Sequence, residues 1–221
     1  MIAMNSDSSC WRMAMAILTG ELKPRERLVE SELIARFNVK RFTIRKAIQE
    51  LAHLGFVEFT PNKGARVADI SDEELEDLYC VRVNLELLAA ELLIRKITPE
   101  KLSLLWKIHR EYTVAVESGV IEEMVLKNEE FHQTLYIMTE NRFLADNLDR
   151  LKNGIFALRY NAYLSLGIPQ VSVAQHEAII NALENGDLEK LKLSVKENII
   201  YPKMIHESRK AKQPNSNGAK E

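Results

Sequence analysis

The chain has 221 residues, of which 46% are hydrophobic and 28% charged, a balance that suits one or two globular domains with an apolar core. Its net charge of −2 argues by itself against nucleic-acid binding. However, residues 1–70 hold 11 Lys and Arg against 8 Asp and Glu, whereas residues 71–221 hold 19 against 24. A basic N-terminal part joined to a larger acidic part fits a DNA-binding unit that carries a sensor.

The first residues predict neither a leader nor an anchor. They lack a basic leader, include Asp7, and contain an apolar run that is too short to span a bilayer. The only cysteines, Cys10 and Cys80, lie too far apart for a metal-binding motif and indicate a reducing compartment. We therefore expect a cytoplasmic protein that makes no membrane contact.

Residues 28–67 predict a helix, a tight turn, a second helix and a hairpin. The first helix runs from Glu30 to Phe37, and Asn38-Val39 forms the turn, since Asn tolerates the left-handed conformation. The second helix runs from Arg41 to Leu54 with these apolar residues at helical spacing: Ile44, Ala47, Ile48 and Leu51. Strands at 56–60 and 65–67, joined by a turn at 61–64, complete the hairpin.

The start of the second helix carries four cations: Lys40, Arg41, Arg45 and Lys46. The helix dipole opposes cations at this end, so folding alone disfavours the arrangement. A phosphate backbone facing the helix would remove the conflict, and the arginine fork matches the major-groove edge of guanine. For a lone cluster of four cations, a solvated basic helix face would be the better explanation. Together with the turn and the hairpin, the cluster indicates DNA binding.

About residues 10–68 resemble the winged helix-turn-helix domain of the GntR transcription regulators. The resemblance rests on these residues: Gly20, Leu22, Pro24, Leu28, Glu30, Leu33, Ala35, Val39, Arg41, Ile44, Arg45, Ala47, Ile48, Leu51, Gly55, Phe56, Val57, Gly64 and Val67. It implies DNA contacts for Arg41, Arg45 and Gly64, to which we add Lys40, Thr43 and Lys46. The chain departs from the family pattern at four places. Lys40 stands where the family has Ser or Thr, and Phe42-Thr43 where it has Thr-Pro. Lys46 replaces a Glu, and Arg25 replaces the loop glycine.

After the hairpin, the pattern predicts only helices. Ser71 can cap the first of them, and the six helices lie near residues 71–95, 99–118, 120–139, 141–164, 169–185 and 187–208. Short connections imply an antiparallel bundle. The expected fold is therefore mainly α: a winged helix-turn-helix with a small hairpin (1–70), an all-α six-helix bundle (71–208) and a disordered tail (209–221).

The predicted bundle resembles the FCD domain, the helical sensor of the FadR subgroup of GntR regulators. The resemblance rests on short motifs: Leu78-Tyr79-Cys80-Val81-Arg82 with Glu86, Ala89 and Ala90; Phe131-His132 with Thr139-Glu140-Asn141; and Gln175-His176-Glu177-Ala178-Ile179. Four positions that commonly form a metal site in that domain fall here on Asn128, His132, His176 and Asn198. The resemblance thus implies an effector site in the bundle.

Those residue types leave three interpretations open. Two imidazoles and two neutral amides could hold a divalent ion such as Zn or Ni weakly through Asn128, His132 and His176. The same groups could hydrogen-bond an organic effector without any metal, with Arg82 binding a carboxylate of a small acid. The histidines could also be ordinary core residues, and Arg82 could simply pair with Glu86 at i+4.

These features predict a ligand-responsive transcription regulator that requires no cofactor and is not an enzyme. A homodimer on a palindromic double-stranded DNA operator is expected, because one short recognition helix reads only a few base pairs. One alternative is a helical metalloenzyme with an accessory winged-helix domain, although no general base is evident beside the histidines. A second is an architectural DNA protein, for which a six-helix core is larger than needed.

Overall fold

The protein is mainly helical, with one two-stranded antiparallel hairpin between two groups of helices. This computed structural model describes residues 8–60, 64–69, 71–151 and 167–212. The elements are α1 (Ser9–Leu18), α2 (Glu30–Phe37), α3 (Arg41–His53), β1 (Val57–Thr60), β2 (Gly64–Val67), α4 (Asp72–Leu93), α5 (Pro99–Ser118), α6 (Ile121–Met138), the helical residues 142–151 (α7), α8 (Ile168–Glu184) and α9 (Leu188–Lys212).

The helix-turn-helix is formed as the sequence predicts. Asn38 ends α2 in the left-handed conformation with φ of 51°, and the Val39 amide donates to the Ile34 carbonyl. Val39 packs partly buried against the core of this unit. The predicted apolar face of α3 is buried in full: Ile44, Ala47, Ile48 and Leu51. Its opposite face is left to solvent.

The hairpin is joined by a third extended segment. β1 and β2 pair with Val57 opposite Val67 and Thr60 opposite Gly64. On the other side of β2, the amide of Arg25 donates to Val67 and that of Leu28 to Ala65. Arg25, which replaces the family's loop glycine, has a φ of 66°. The left-handed backbone explains why glycine suits this position.

Helix α1 was not predicted, because the first residues were considered only as a targeting segment. Ser8 caps it by accepting a hydrogen bond from the Trp11 amide. Seven of its ten residues are buried, among them Trp11 at 1% exposure. A segment so apolar folds because the helix-turn-helix unit and part of the bundle cover it.

The helices of the bundle follow the predicted bounds closely, and their caps explain why. Ser71 and Glu74 form a reciprocal capping box at α4, and hydrogen bonds from Ser71 lower the pKa of Glu74. Thr98 caps α5 ahead of Pro99, and the Asp187 side chain accepts from the Lys190 amide at the start of α9. Helix α9 runs to Lys212, past the predicted end near 208. The predicted helical residues 152–164 and the tail residues 213–221 lie outside the described residues.

Candidate nucleic-acid interface and buried polar site

The basic residues predicted for DNA contact lie together on the outer face of α3. Lys40 is the N-cap residue, and the first turn of the helix holds no acidic side chain. The side chains of Arg41, Arg45 and Lys46 are 69%, 60% and 67% exposed, and Thr43 is half-buried. This face therefore presents cations at the positive end of the helix dipole, where an anion is favoured.

Glu30, the first residue of α2, organises the two arginines. Its carboxylate lies 2.8 Å from Arg45 Nε and 4.0 Å from Arg41 Nε. The hydrogen bond that Arg45 donates to the Glu30 carboxylate raises the pKa of Arg45. Exposed ion pairs are weak, so this arrangement contributes little to stability. Glu30 thus lies within ion-pair distance of both guanidinium groups on one side of the helix.

The wing borders α3 across an open cleft of about 510 Å³. Gly64 lines it with φ of 83°, a conformation that other residues adopt only with strain. Arg27, Gln49 and Phe59 line the same cleft, facing Arg45. Arg27 and Gln49 were not among the residues predicted from the sequence. Gln49 could have been found there, because it follows Arg45 by one helical turn and so lies on the same face.

Buried polar side chains are confined to the bundle in the part of the chain that the structure describes. They are Arg82, Glu86, His109, Asn128, Glu129, His132, Thr139, Ser172, His176, Ser194 and Asn198. A core built only for stability avoids such groups, because each costs free energy unless it is hydrogen-bonded. Their concentration marks the interior of the bundle as chemically specialised.

The two predicted histidines meet in that interior. The ring centroids of His132 on α6 and His176 on α8 are 5.2 Å apart, with the rings nearly perpendicular. His176 is completely buried and stacks on Phe131 at 3.9 Å. Tyr112 of α5 approaches the same ring at 5.0 Å. Aromatic packing therefore fixes the His176 ring in one orientation.

The two predicted asparagines lie on the helices that carry or adjoin these histidines. Asn128 precedes His132 by one turn of α6, so both side chains leave the same face. Asn198 lies on α9, and its Nδ2 donates to Gln175 Oε1, 3.0 Å away on α8. Gln175 is the residue before His176. All four predicted positions are thus buried within one helical assembly.

Arg82 forms a buried polar cluster with Glu86 and Tyr136. Its Nε lies 3.2 Å from Glu86 Oε1, one turn along α4, and the Tyr136 hydroxyl donates to the same oxygen at 2.5 Å. Burial alone would lower the pKa of Arg82, but the Glu86 carboxylate together with Tyr136 and Tyr79 outweighs burial, and the pKa is raised. Arg82 is therefore a permanent cation in the interior of the bundle. Its Nε donates to Glu86, and its two terminal nitrogens carry the remaining N–H donors of the guanidinium group.

The donor set does not match a tightly held metal ion. Within the described residues, no group of three or more His, Cys, Asp or Glu side chains could hold one. Asn128 and Asn198 contribute neutral amides, which do not compensate a divalent charge. Glu129 is buried on α6 but follows Asn128 directly, so its side chain leaves the helix about 100° around from that of Asn128. The two asparagines and two histidines are therefore suited to hydrogen bonding rather than to holding a divalent ion.

The DNA-binding unit and the bundle touch through α1. The Trp11 indole nitrogen donates to the Glu122 carboxylate at the start of α6. Val125 of α6 and Ile168 of α8 belong to the same apolar cluster as α1 and α3. The helices that carry the two histidines therefore reach the DNA-binding unit directly.

Comparison with known proteins identifies both parts. Residues 12–67 match the family described as bacterial regulatory proteins, gntR family, and residues 77–199 match the FCD domain. The chain belongs to the GntR family. As a GntR regulator with an FCD domain, it is a DNA-binding transcription regulator with an effector-binding domain, and not an enzyme. The resemblance predicted from the sequence is confirmed.

Relatives with similar sequences are transcription regulators. An uncharacterized HTH-type transcriptional regulator of Bacillus subtilis, YdhC, is 28% identical over 81% of this chain and 80% of its own length. The Nta operon transcriptional regulator of Aminobacter aminovorans is 31% identical over 73% of this chain and 75% of its own length. The HTH-type transcriptional repressor RspR of Escherichia coli is 26% identical over 75% of this chain and 73% of its own length.

Solved structures share the fold. McbR/YncC of E. coli superposes with a TM-score of 0.73 at 19% identity, covering 90% of this chain and 95% of that one. Lar of Listeria monocytogenes has a TM-score of 0.63 at 20% identity, covering 90% and 94%. Among the described residues, no helix combines the length and apolarity needed to cross a bilayer.

Proposed function

We propose that this GntR regulator binds a palindromic operator as a homodimer in the cytoplasm, and that a small carboxylic acid in the bundle sets its affinity. Residues 1–70 would bind DNA, and residues 71–208 would bind the effector and dimerise. The observation that carries the effector proposal is the confinement of buried polar side chains to the bundle.

Arg82 gives the effector site its chemical preference. The exposed fraction of its side chain is only 9%, and its charge persists at every physiological pH. A carboxylate that enters beside it would form charge-assisted hydrogen bonds through the terminal nitrogens, which are strong in a low-dielectric interior. Asn128, His132, His176 and Asn198 supply donors and acceptors for the remaining polar groups of an organic acid. No metal is required for this recognition.

On DNA, Arg41 and Arg45 would read base edges, and Lys40, Thr43 and Lys46 would contact phosphates. The support is their common exposed face on α3 and the absence of acidic residues in its first turn. Gly64 would allow the wing backbone to approach the sugar-phosphate chain, since nothing lies within 4 Å of the position where a Cβ would be. The operator should therefore bind more weakly as salt rises.

For the dimer, we infer that α4 supplies the shared face. Apolar residues recur there at alternating steps of three and four: Leu78, Val81, Leu85, Leu88 and Leu92. Val81 and Leu88 are 51% and 42% exposed, while the other three are partly buried. This 3.5-residue repeat is the seam with which two identical helices pack on one another. Two DNA-binding units related by that symmetry would address a palindrome.

The dimer face can be tested with one variant and a matched control. Leu88→Asp places a charge in the proposed seam and should convert the dimer to a monomer in light-scattering chromatography. Val114→Asp makes the same change at a 62% exposed position on α5 and should leave the dimer intact. A dimeric Leu88→Asp protein would exclude α4 as the contact.

The regulatory proposal is tested by mobility shift on the DNA upstream of the protein's own gene. The titration is repeated with a panel of mono-, di- and hydroxycarboxylic acids. We expect at least one acid to change the apparent Kd. The double variant Arg82→Met/Glu86→Gln should abolish that response while keeping the acid-free Kd, because it removes both charges and leaves no unpaired ion in the interior. A second panel contains neutral sugars, amines and phosphates. If one of these compounds changes the Kd and none of the acids does, the proposal of a carboxylic acid effector is wrong.

The metal alternative has its own measurement. Protein purified without chelator is analysed for metal and then titrated calorimetrically with zinc and nickel. We expect substoichiometric metal and weak heats, because both asparagines are neutral ligands. One tightly held equivalent per chain that is lost in His132→Ala would instead establish a metal site at Asn128, His132 and His176.

A further inference from the structure

Phe42 is the most exposed large apolar side chain in the described part of the chain, at 78%. It is the second residue of α3 and follows Arg41 directly. A phenylalanine left in water keeps an apolar surface hydrated, and burying that surface against a partner would be favourable. Single exposed apolar residues are common on protein surfaces, so the neighbourhood of Phe42 decides what it can bind.

That neighbourhood excludes an apolar protein partner. Phe42 lies among Lys40, Arg41, Arg45 and Lys46, and burying it under a protein surface would desolvate these cations as well. A DNA duplex offers phosphates to the cations and one apolar group in the major groove, the C5-methyl of thymine. Charge complementarity therefore selects DNA, and the chemistry of the phenyl ring selects thymine.

We propose that Phe42 is a specificity-determining residue that packs against the methyl group of a thymine in each operator half-site. The inference rests on the proposed DNA contacts of α3. Phe42 and Arg45 are three residues apart, which places them on one helix face about 4.5 Å apart along the axis. Base pairs are spaced by about 3.4 Å. The thymine thus lies one or two base pairs from the guanine that Arg45 reads.

The experiment begins with selection of duplexes from a random library by the full-length wild-type protein. Each thymine of the enriched site is then replaced, one symmetric pair at a time, by deoxyuridine, which lacks only the methyl group. Affinities are measured for the wild type, for Phe42→Ser and for Phe143→Ser. Phe143 is the control, because it is a 71% exposed phenylalanine on α7 of the bundle. Thermal unfolding of all three proteins verifies that these surface changes leave the fold intact.

We expect one symmetric thymine pair at which deoxyuridine weakens wild-type binding about sixteenfold, or about fourfold per methyl group, the factor that corresponds to ~0.8 kcal/mol. Phe143→Ser should retain this dependence, and Phe42→Ser should bind both duplexes equally. If the wild type tolerates every replacement, or if Phe42→Ser keeps the methyl dependence, the inference is wrong while the DNA-binding proposal stands. If the wild type enriches no sequence, the proposed function fails together with the inference.

Discussion

Replacing Glu86 by alanine tests whether the Arg82 cluster is a buried ion pair. The side chains of Arg82 and Glu86 are 9% and 6% exposed, so Glu86→Ala leaves a cation in the interior without its counterion. Breaking a buried pair from one side costs about 3–5 kcal/mol. The Tyr136 hydroxyl loses its acceptor in the same step, and its cost overlaps with the first. A domain is typically stable by about 5–15 kcal/mol, so the loss would be a large fraction of the total.

Urea denaturation followed by circular dichroism measures this loss. Glu91→Ala on the same helix is the matched control, because it removes the exposed pair with Lys192 and should leave the midpoint almost unchanged. Formate or acetate added to Glu86→Ala should restore part of the stability by supplying a carboxylate to Arg82. If Glu86→Ala unfolds at the same urea concentration as Glu91→Ala, Arg82 is solvated and cannot give the effector site its preference for acids.

Three further measurements address the DNA face, the pH response and the loop. Arg41→Ala and Arg45→Ala should each weaken operator binding about tenfold to a hundredfold, whereas Lys46→Ala should weaken random DNA equally and reduce the salt slope by about one; operator Kd values at several salt concentrations decide. Burial lowers the pKa of His109, so the unfolded state binds more protons and stability falls as the pH drops below 6.5; His109→Gln should flatten that fall in unfolding curves between pH 7 and 5. Arg25→Gly should raise the thermal midpoint, since a left-handed backbone costs a side chain about 1–2 kcal/mol, while Arg25→Ala should not.

Local rules were sufficient wherever a structure depends on neighbouring residues. The left-handed Asn38, the Ser71 capping box and the Asp187 cap each follow from side chains within a few positions. The approach of His132 to His176 came from the family resemblance, because helical spacing says which face a residue lies on and not which helix it meets. Helix α1 was missed because its residues were considered only as a targeting segment, and local spacing could not show what would cover them. Its apolar surface is covered by α3 and by Val125 and Ile168, which are distant in sequence.

The same tertiary contacts show how a ligand in the bundle could reach the DNA-binding unit. Val125 packs on that unit, and His132 follows it by two turns of α6, about 10 Å along the helix. On α8, Ile168 likewise packs on that unit, and His176 follows it by about two turns, or about 12 Å along the helix. A helix is stiff over two turns, so we propose that an effector that changed the spacing of the histidines would also shift Val125 against Ile168. The close-packed cluster around α1 cannot absorb that shift continuously, and it would respond by moving the whole DNA-binding unit to a second position.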